Sequence, residues 1–187
     1  MPHKFDPSKA ALLDEEERRR VLPPEGILRR IGLRRGAAFA DVGCGTGYFT
    51  LPAAELVGES GVVYAIDVQE EMLKLLAGRM GERANIRPVK SQENSIPLPG
   101  GCVDVALLGL VLHELEGDGT LREVGRILRR GGTLGVVDWK KESGDKGPPV
   151  EERISREEAA EMLKKAGFAV VETFELPLHY LLVARKR

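Results

Sequence analysis

The chain has 187 residues, 42% of them apolar and 30% charged, with a formal net charge of −1. That balance belongs to a globular unit long enough to bury a real core. It offers no global basic field to draw the chain to nucleic acid or to an anionic membrane. The Arg29-Arg30, Arg34-Arg35 and Arg129-Arg130 pairs each fall near a helix end, where complementing the helix dipole explains them more simply than an RNA groove. No apolar run reaches bilayer length, and the start from Met1 to Asp6 lacks the apolar core of a secretory leader. Cys44 and Cys102 are not spaced as a metal or redox pair, so no metal is expected. A cytoplasmic location is expected.

In chain order, residues 7–22 are predicted to be helical. Asp14, Glu15 and Glu16 stand four residues before Arg18, Arg19 and Arg20, the favourable order for helix ion pairs. Pro23-Pro24 ends this helix, and Pro24 opens a short second one through Ile31. Strand and helix then alternate. Strands are predicted at Ala37–Val42, Val62–Asp67, Ile86–Val89, Val103–Leu108 and Thr133–Asp138. Helices fill the intervals: one follows the glycine-rich segment to Val57, one spans Gln69–Met80, and one spans Thr120–Leu128 and stops at Gly131-Gly132. After a charged, Gly/Pro-rich loop over Lys140–Val150, Ser155 and Glu158 form an N-cap with an acid three residues on, opening a helix that ends at Gly167. Two last strands, Ala169–Leu176 and His179–Arg185, are joined across Pro177-Leu178. Alternating strands and helices imply a doubly wound α/β sheet. A two-residue connection cannot carry a parallel crossover, so the last two strands are expected to be antiparallel.

The segment carrying most information is Asp41-Val42-Gly43-Cys44-Gly45-Thr46-Gly47, at the end of the first strand. Alternate glycines let the backbone turn sharply and approach a ligand closely, and the acid before them can meet a cationic ligand group. An NAD fingerprint needs a small residue at its sixth position, but counting from Gly43 or from Gly45 reaches Tyr48 or Thr50. The D-x-G-x-G-x-G loop and the closing hairpin resemble those of class I methyltransferases dependent on S-adenosylmethionine, and among them the small bacterial members related to the ubiquinone/menaquinone and arsenite groups. The resemblance implies a Rossmann-like seven-stranded sheet of order 3-2-1-4-5-7-6 with strand 7 antiparallel. The whole chain, 1–187, is then expected to be one methyltransferase domain, with 1–33 a helical lid that includes Phe5 and 34–187 the core.

The same resemblance implies the site. The cofactor S-adenosyl-L-methionine would be held by Asp41, Gly43, Cys44, Gly45 and Gly47, with Asp67 accepting the ribose hydroxyls and Val68 packing on the adenine. Read without the family, Asp67 is an N-cap for the next helix, a role compatible with the first. Ser91, Gln92 and Glu93 stand where the family meets the adenine amino group, although the usual Asp is missing there. Gly109 ends the fourth strand, where a backbone carbonyl meets the cofactor's amino group. His113 is a candidate general base, or else a histidine bonding at a helix start. His113-Glu114-Leu115-Glu116-Gly117 lacks the second histidine of a zinc motif. His113, Trp139 and Tyr180 are expected to line the acceptor pocket, Tyr180 at its wall.

The Asp/Asn-Pro-Pro-aromatic tetrad of nucleobase amino-methylating enzymes and the Pro-Cys nucleophile of cytosine-C5 enzymes are absent, and two cysteines are too few to hold arsenite. The expected activity is methyl transfer by in-line displacement to an unidentified small-molecule acceptor. A homodimer is left open. The competing readings are an NAD(P)-dependent oxidoreductase and a non-catalytic S-adenosylmethionine-binding module.

Overall fold

The computed structural model describes residues 16–144 and 146–187. Its seven strands form one sheet of order β3-β2-β1-β4-β5-β7-β6, as the resemblance implied. They are β1 (Ala38–Val42), β2 (Val62–Asp67), β3 (Ile86–Lys90), β4 (Val103–Gly109), β5 (Leu128–Trp139), β6 (Phe168–Glu175) and β7 (His179–Lys186). The pairings β3-β2, β2-β1, β1-β4 and β4-β5 are parallel. β7 runs antiparallel to both β5 and β6. The helices are α1 (Glu16–Val21), α2 (Pro24–Arg30), α3 (Thr50–Val57), α4 (Glu70–Met80), α5 (Gly119–Ile127) and α6 (Arg156–Lys165).

Strand periodicity divides the core into two layers. Phe39, Val105, Leu107, Val137 and Leu181 face one side, among side chains of α2, α3 and α4. Ala40, Ala106, Leu108, Val136 and Leu182 face the other, with Leu121, Val124 and Ile127 of α5 and Leu163 of α6. Strands covered on both faces are apolar at consecutive positions, which is why β4 and β7 read as continuous hydrophobic runs. At α6 the expected cap forms reciprocally: Glu158 N–H donates to Ser155 Oγ at 3.2 Å, and Ser155 N–H donates to Glu158 Oε2 at 2.7 Å.

Two boundaries differ from expectation, and one predicted element is described only in part. Most of the first predicted helix, with Asp14 and Glu15, lies outside the described residues; the part described carries the Arg20–Glu16 pair at 3.8 Å. The glycine loop does not pass straight into a helix, because turns carry it as far as Phe49 and α3 starts at Thr50. β5 begins at Leu128, before the Gly131-Gly132 pair and not after it. There Leu128 already pairs with Val103, and a register shift between Val103 and Val105 absorbs the extra residues.

Two glycines give opposite predictions for stability. A Cβ at Gly61 would stand 2.7 Å from the Ala37 carbonyl oxygen, whereas nothing lies within 4 Å of one at Gly78, inside α4. In chemical denaturation, Gly61→Ala is expected to destabilise by about 1–3 kcal/mol through overpacking. Gly78→Ala is expected to stabilise by about 0.5–1 kcal/mol.

Candidate active site

A cleft of about 1200 Å³ opens where β1, β2, β4 and β5 end. Parallel strands bring these ends to one edge, the place where open α/β sheets take ligands. Of the residues expected in the site, Gly43, Cys44, Gly45, Asp67, Val68, Ser91, Gln92, Glu93, Gly109, His113 and Trp139 line it.

In one half, Gly43 and Gly45 have φ of 73° and 53°, a conformation that favours glycine. The side chain of Val111 occupies the space that a Cβ on Gly43 would need. Asp67 clamps this loop from β2. Its Oδ2 accepts the Gly45 N–H at 2.9 Å, and its Oδ1 accepts the Gln69 N–H at 2.8 Å, opening α4. Burial pushes the Asp67 pKa up, against the backbone N–H groups of Gln69, Gly45 and Val68 and the charge of Lys90. With about four lone-pair sites on its two oxygens, the carboxylate keeps acceptor capacity for a ligand hydroxyl beside these N–H groups. Thr46, in the same loop, has a buried hydroxyl with no hydrogen-bond partner among the described residues. An orphaned polar atom in a wall of close-approaching glycines fits a ligand rich in acceptors and donors. Ser91 is tied to the end of β2 by its N–H, which donates to the Asp67 carbonyl at 3.0 Å. At the end of β4, Leu110 has φ of 63°, strained for a bulky side chain, and its N–H donates to the Val137 carbonyl at 2.8 Å.

The other half is organised by Asp138, which sequence reasoning did not assign. Its carboxylate is 1% exposed. Oδ2 accepts the His113 backbone N–H at 3.1 Å, while Oδ1 stands 2.8 Å from His113 Nδ1 and accepts the Trp139 N–H at 2.7 Å. A carboxylate only accepts, so Nδ1 carries the proton and Nε2 keeps the lone pair. Burial opposes the imidazolium, but the hydrogen bond and charge of Asp138, with Glu114 and Glu152, outweigh it and raise the His113 pKa. His113 lies in a 3₁₀ turn, Leu112–Glu114, bonds Asp138 through its backbone N–H, and lines the cleft. The loop below Trp139 is gathered by Arg153, whose guanidinium donates to the carbonyls of Pro148, Lys140, Glu142 and Lys146 at 2.6–3.1 Å.

Three assignments need correction. Tyr180 does not reach the cleft. Strand alternation turns it into the layer of Leu182 and Ala184, where its hydroxyl donates to the Ile154 carbonyl at 3.2 Å. The adjacent His179 lines the cleft instead. Asp41 is 1% exposed and faces α3, accepting the Thr50 hydroxyl at 2.6 Å, and it is not among the residues that line the cleft. Burial pushes its pKa up to about 7, against the Thr50 hydrogen bond and with help from the Asp67 charge. Gly47 is absent from the lining, and a Cβ there would stand 2.6 Å from Leu76 Cδ1. Its role is packing against α4.

The sheet order, the antiparallel last strand and the glycine loop at the cleft define the class I methyltransferases that use S-adenosylmethionine. A methyltransferase domain model matches residues 40–136, just over half of the chain. The chain belongs to this family and is an S-adenosylmethionine-dependent methyltransferase, which removes the oxidoreductase reading. It is 39% identical to a SAM-dependent methyltransferase from Aquifex aeolicus of known crystal structure, with a TM-score of 0.94 over 98% of this chain and 100% of that one. It is 35% identical over 116 residues to the ubiquinone/menaquinone biosynthesis C-methyltransferase of Azotobacter vinelandii, covering 60% of this chain and 46% of that protein. With the demethylmenaquinone methyltransferase of Geobacillus sp. (strain WCH70) it shares 32% over 120 residues, 63% of this chain and 51% of that protein. The matched stretch thus spans about half the length of these curated relatives.

Asp67 and Glu70 separate a role in the cleft from one in the helix. Asp67→Ala releases the Gly45 N–H and removes a carboxylate from the cleft, so it is expected to weaken S-adenosylhomocysteine binding by about 2–3 kcal/mol in calorimetric titration. Glu70 pairs with Lys74 at 3.3 Å on the exposed face of α4, and Glu70→Ala is expected to leave binding unchanged. Equal losses at both would assign Asp67 to the fold alone.

Proposed function

We propose that the acceptor is a small aromatic molecule with an ionisable hydroxyl, methylated on ring carbon, and that His113 is the general base. The observation that carries this reading is the His113–Asp138 pair, 2.8 Å apart, with the ring against the cleft. A methyl transfer needs a base only when the acceptor must lose a proton, and a histidine oriented by a buried carboxylate is the usual means. The quinone-ring activities named for the curated relatives support the same acceptor class.

In this reading Asp67 accepts the cofactor's ribose hydroxyls. Val68 and the Ser91–Glu93 segment flank the adenine, and Gly43, Cys44, Gly45 and the Gly109 carbonyl hold the methionine portion. Bound S-adenosylmethionine supplies an electrophilic methyl on a strong leaving group. His113 Nε2 takes the acceptor's hydroxyl proton, which places electron density on the oxygen and on the ring carbons beside it. Asp138 stabilises the imidazolium that results. The carbon that gains the methyl then loses its own hydrogen as a proton, and the hydroxyl is regained, one proton being released overall. Trp139 positions the ring, and the closed cleft excludes water. Of the N-terminal segment 1–33 expected as a lid, the described stretch 16–22 acts as a lid over the cleft, while α2 packs into the core. The support for this is that Arg18 and Val21 line the cleft, that the Tyr48 hydroxyl donates to the Leu22 carbonyl at 2.6 Å, and that Glu17 pairs with Lys146 at 2.6 Å.

The pH dependence tests this reading. The base form of His113 is populated as pH rises, and its pKa is raised, so kcat/KM should climb with pH to a plateau along a limb above 6.5. Asp138→Asn removes the charge that raises this pKa. The limb should move to lower pH, and the plateau should fall by roughly 10²-fold as the ring loses its orientation. Transfer of labelled methyl to 1,4-dihydroxynaphthalene under anaerobic conditions is the assay. A limb that stays in place in Asp138→Asn would remove His113 from the mechanism.

A further inference from the structure

His179 begins β7 opposite Trp139 of β5, and the two rings stack with centroids 4.3 Å apart, tilted by 46°. Its side chain lines the cleft yet is only 1% exposed. Neither Nδ1 nor Nε2 has a hydrogen-bond partner among the described residues. This is unusual. A buried imidazole has one donor and one acceptor to satisfy, and leaving them unmet is unfavourable. An apolar side chain of similar shape would pack against Trp139 without that penalty. A polar atom of a ligand in the cleft would meet one of these nitrogens and remove part of that cost.

The surroundings also make His179 unlike His113. Burial, together with the charges of Arg18, Arg153 and Lys140, holds its pKa down to about 4 against the pull of Asp138. It is uncharged at neutral pH, so it serves as a donor and acceptor of hydrogen bonds and is a poor site for a proton in transit. The end of β5 thus bears two histidines. Asp138 orients one, and its neighbour Trp139 stacks on the other.

We propose that His179 hydrogen-bonds a second oxygen on the acceptor ring, the first being the hydroxyl that faces His113, while Trp139 takes the ring's face. This rests on the aromatic acceptor described under Proposed function, and it narrows the acceptor class to rings with two oxygens. His179 then sets specificity. A site that hydrogen-bonds a substrate oxygen rejects analogues lacking it, because its own buried group is left unpaired.

The test is calorimetric titration of the whole chain, saturated with S-adenosylhomocysteine and kept anaerobic, with 1,4-dihydroxynaphthalene and with 1-naphthol. The wild type should prefer the two-oxygen ring by roughly tenfold, the worth of one buried hydrogen bond. His179→Phe should abolish this preference by weakening the dihydroxy compound to the level of 1-naphthol, with 1-naphthol binding unchanged. His179→Gln, which keeps a donor and an acceptor, should retain part of it. Affinity for S-adenosylhomocysteine should match the wild type in each variant. As a measurement needing no variant, the His179 ring nitrogens in ¹⁵N-labelled wild type should shift on adding the dihydroxy compound and stay in place with 1-naphthol. A wild type without preference, a His179→Phe protein that retains it, or unmoved His179 nitrogens would overturn the proposal. Methyl transfer followed in parallel reports on the proposed function separately: discrimination between the two rings without transfer would leave His179 as the specificity residue and refute only the methylation of that ring.

Discussion

The site depends on the common direction of β1, β2, β4 and β5. Because they run parallel, the four chain turns that follow them meet at one edge. The glycine loop, Asp67, Gly109 and Trp139 come from four separate stretches of sequence and line one cleft for that reason alone. β7 contributes by the opposite rule. Being antiparallel to β5, it brings its first residue, not its last, to the same edge, and so adds His179 beside Trp139.

The chemistry of that edge is set by three buried carboxylates in different company. Asp41 faces the hydroxyl and backbone N–H of Thr50, and burial dominates it. Asp67 meets backbone N–H groups at the loop and at the start of α4, which hold the glycine turn against β2. Asp138 meets two backbone N–H groups and an imidazole, and it lends His113 its orientation and its raised pKa. Sulfonium is a good leaving group in its own right, so alignment of donor and acceptor is the main work left to the protein. The division of the cleft reflects this: the glycine loop and Asp67 on one side, the two histidines and Trp139 on the other.

Much of the fold was legible because strand periodicity and glycine placement are local signals. The apolar runs of β4 and β7, the Ser155–Glu158 cap and the two-residue link at Pro177-Leu178 each stated their structure in a few residues. The start of β5 was not legible, since Gly131-Gly132 looks like a helix stop and only pairing of Leu128 with Val103 makes the preceding residues a strand. In the site, the place of the loop and of Asp67 at strand ends was readable from the strand pattern, and the family resemblance pointed to them as the cofactor side of the cleft. Asp138 was missed although a lone acid ending an apolar strand at the ligand edge was a usable signal. The choice of Tyr180 over His179 failed by one residue, and in a strand one residue is the opposite face. Asp41 and Gly47 belong to the motif, but their side-chain positions turn toward α3 and α4, a distinction that depends on where those helices pack.

The two histidines of the cleft are held in opposite states: Asp138 raises the His113 pKa, and burial keeps His179 neutral. The chain contains three histidines, His3, His113 and His179, so ¹⁵N-labelled imidazoles can be followed singly by long-range ¹H–¹⁵N correlation over a pH titration, with assignment by single substitution. The account predicts that His113 titrates above 6.5 and carries its neutral-form proton on Nδ1, and that His179 stays neutral down to a pH of about 4. A His113 that titrates below 6.5, or a His179 that gains its proton near neutral pH, would contradict it.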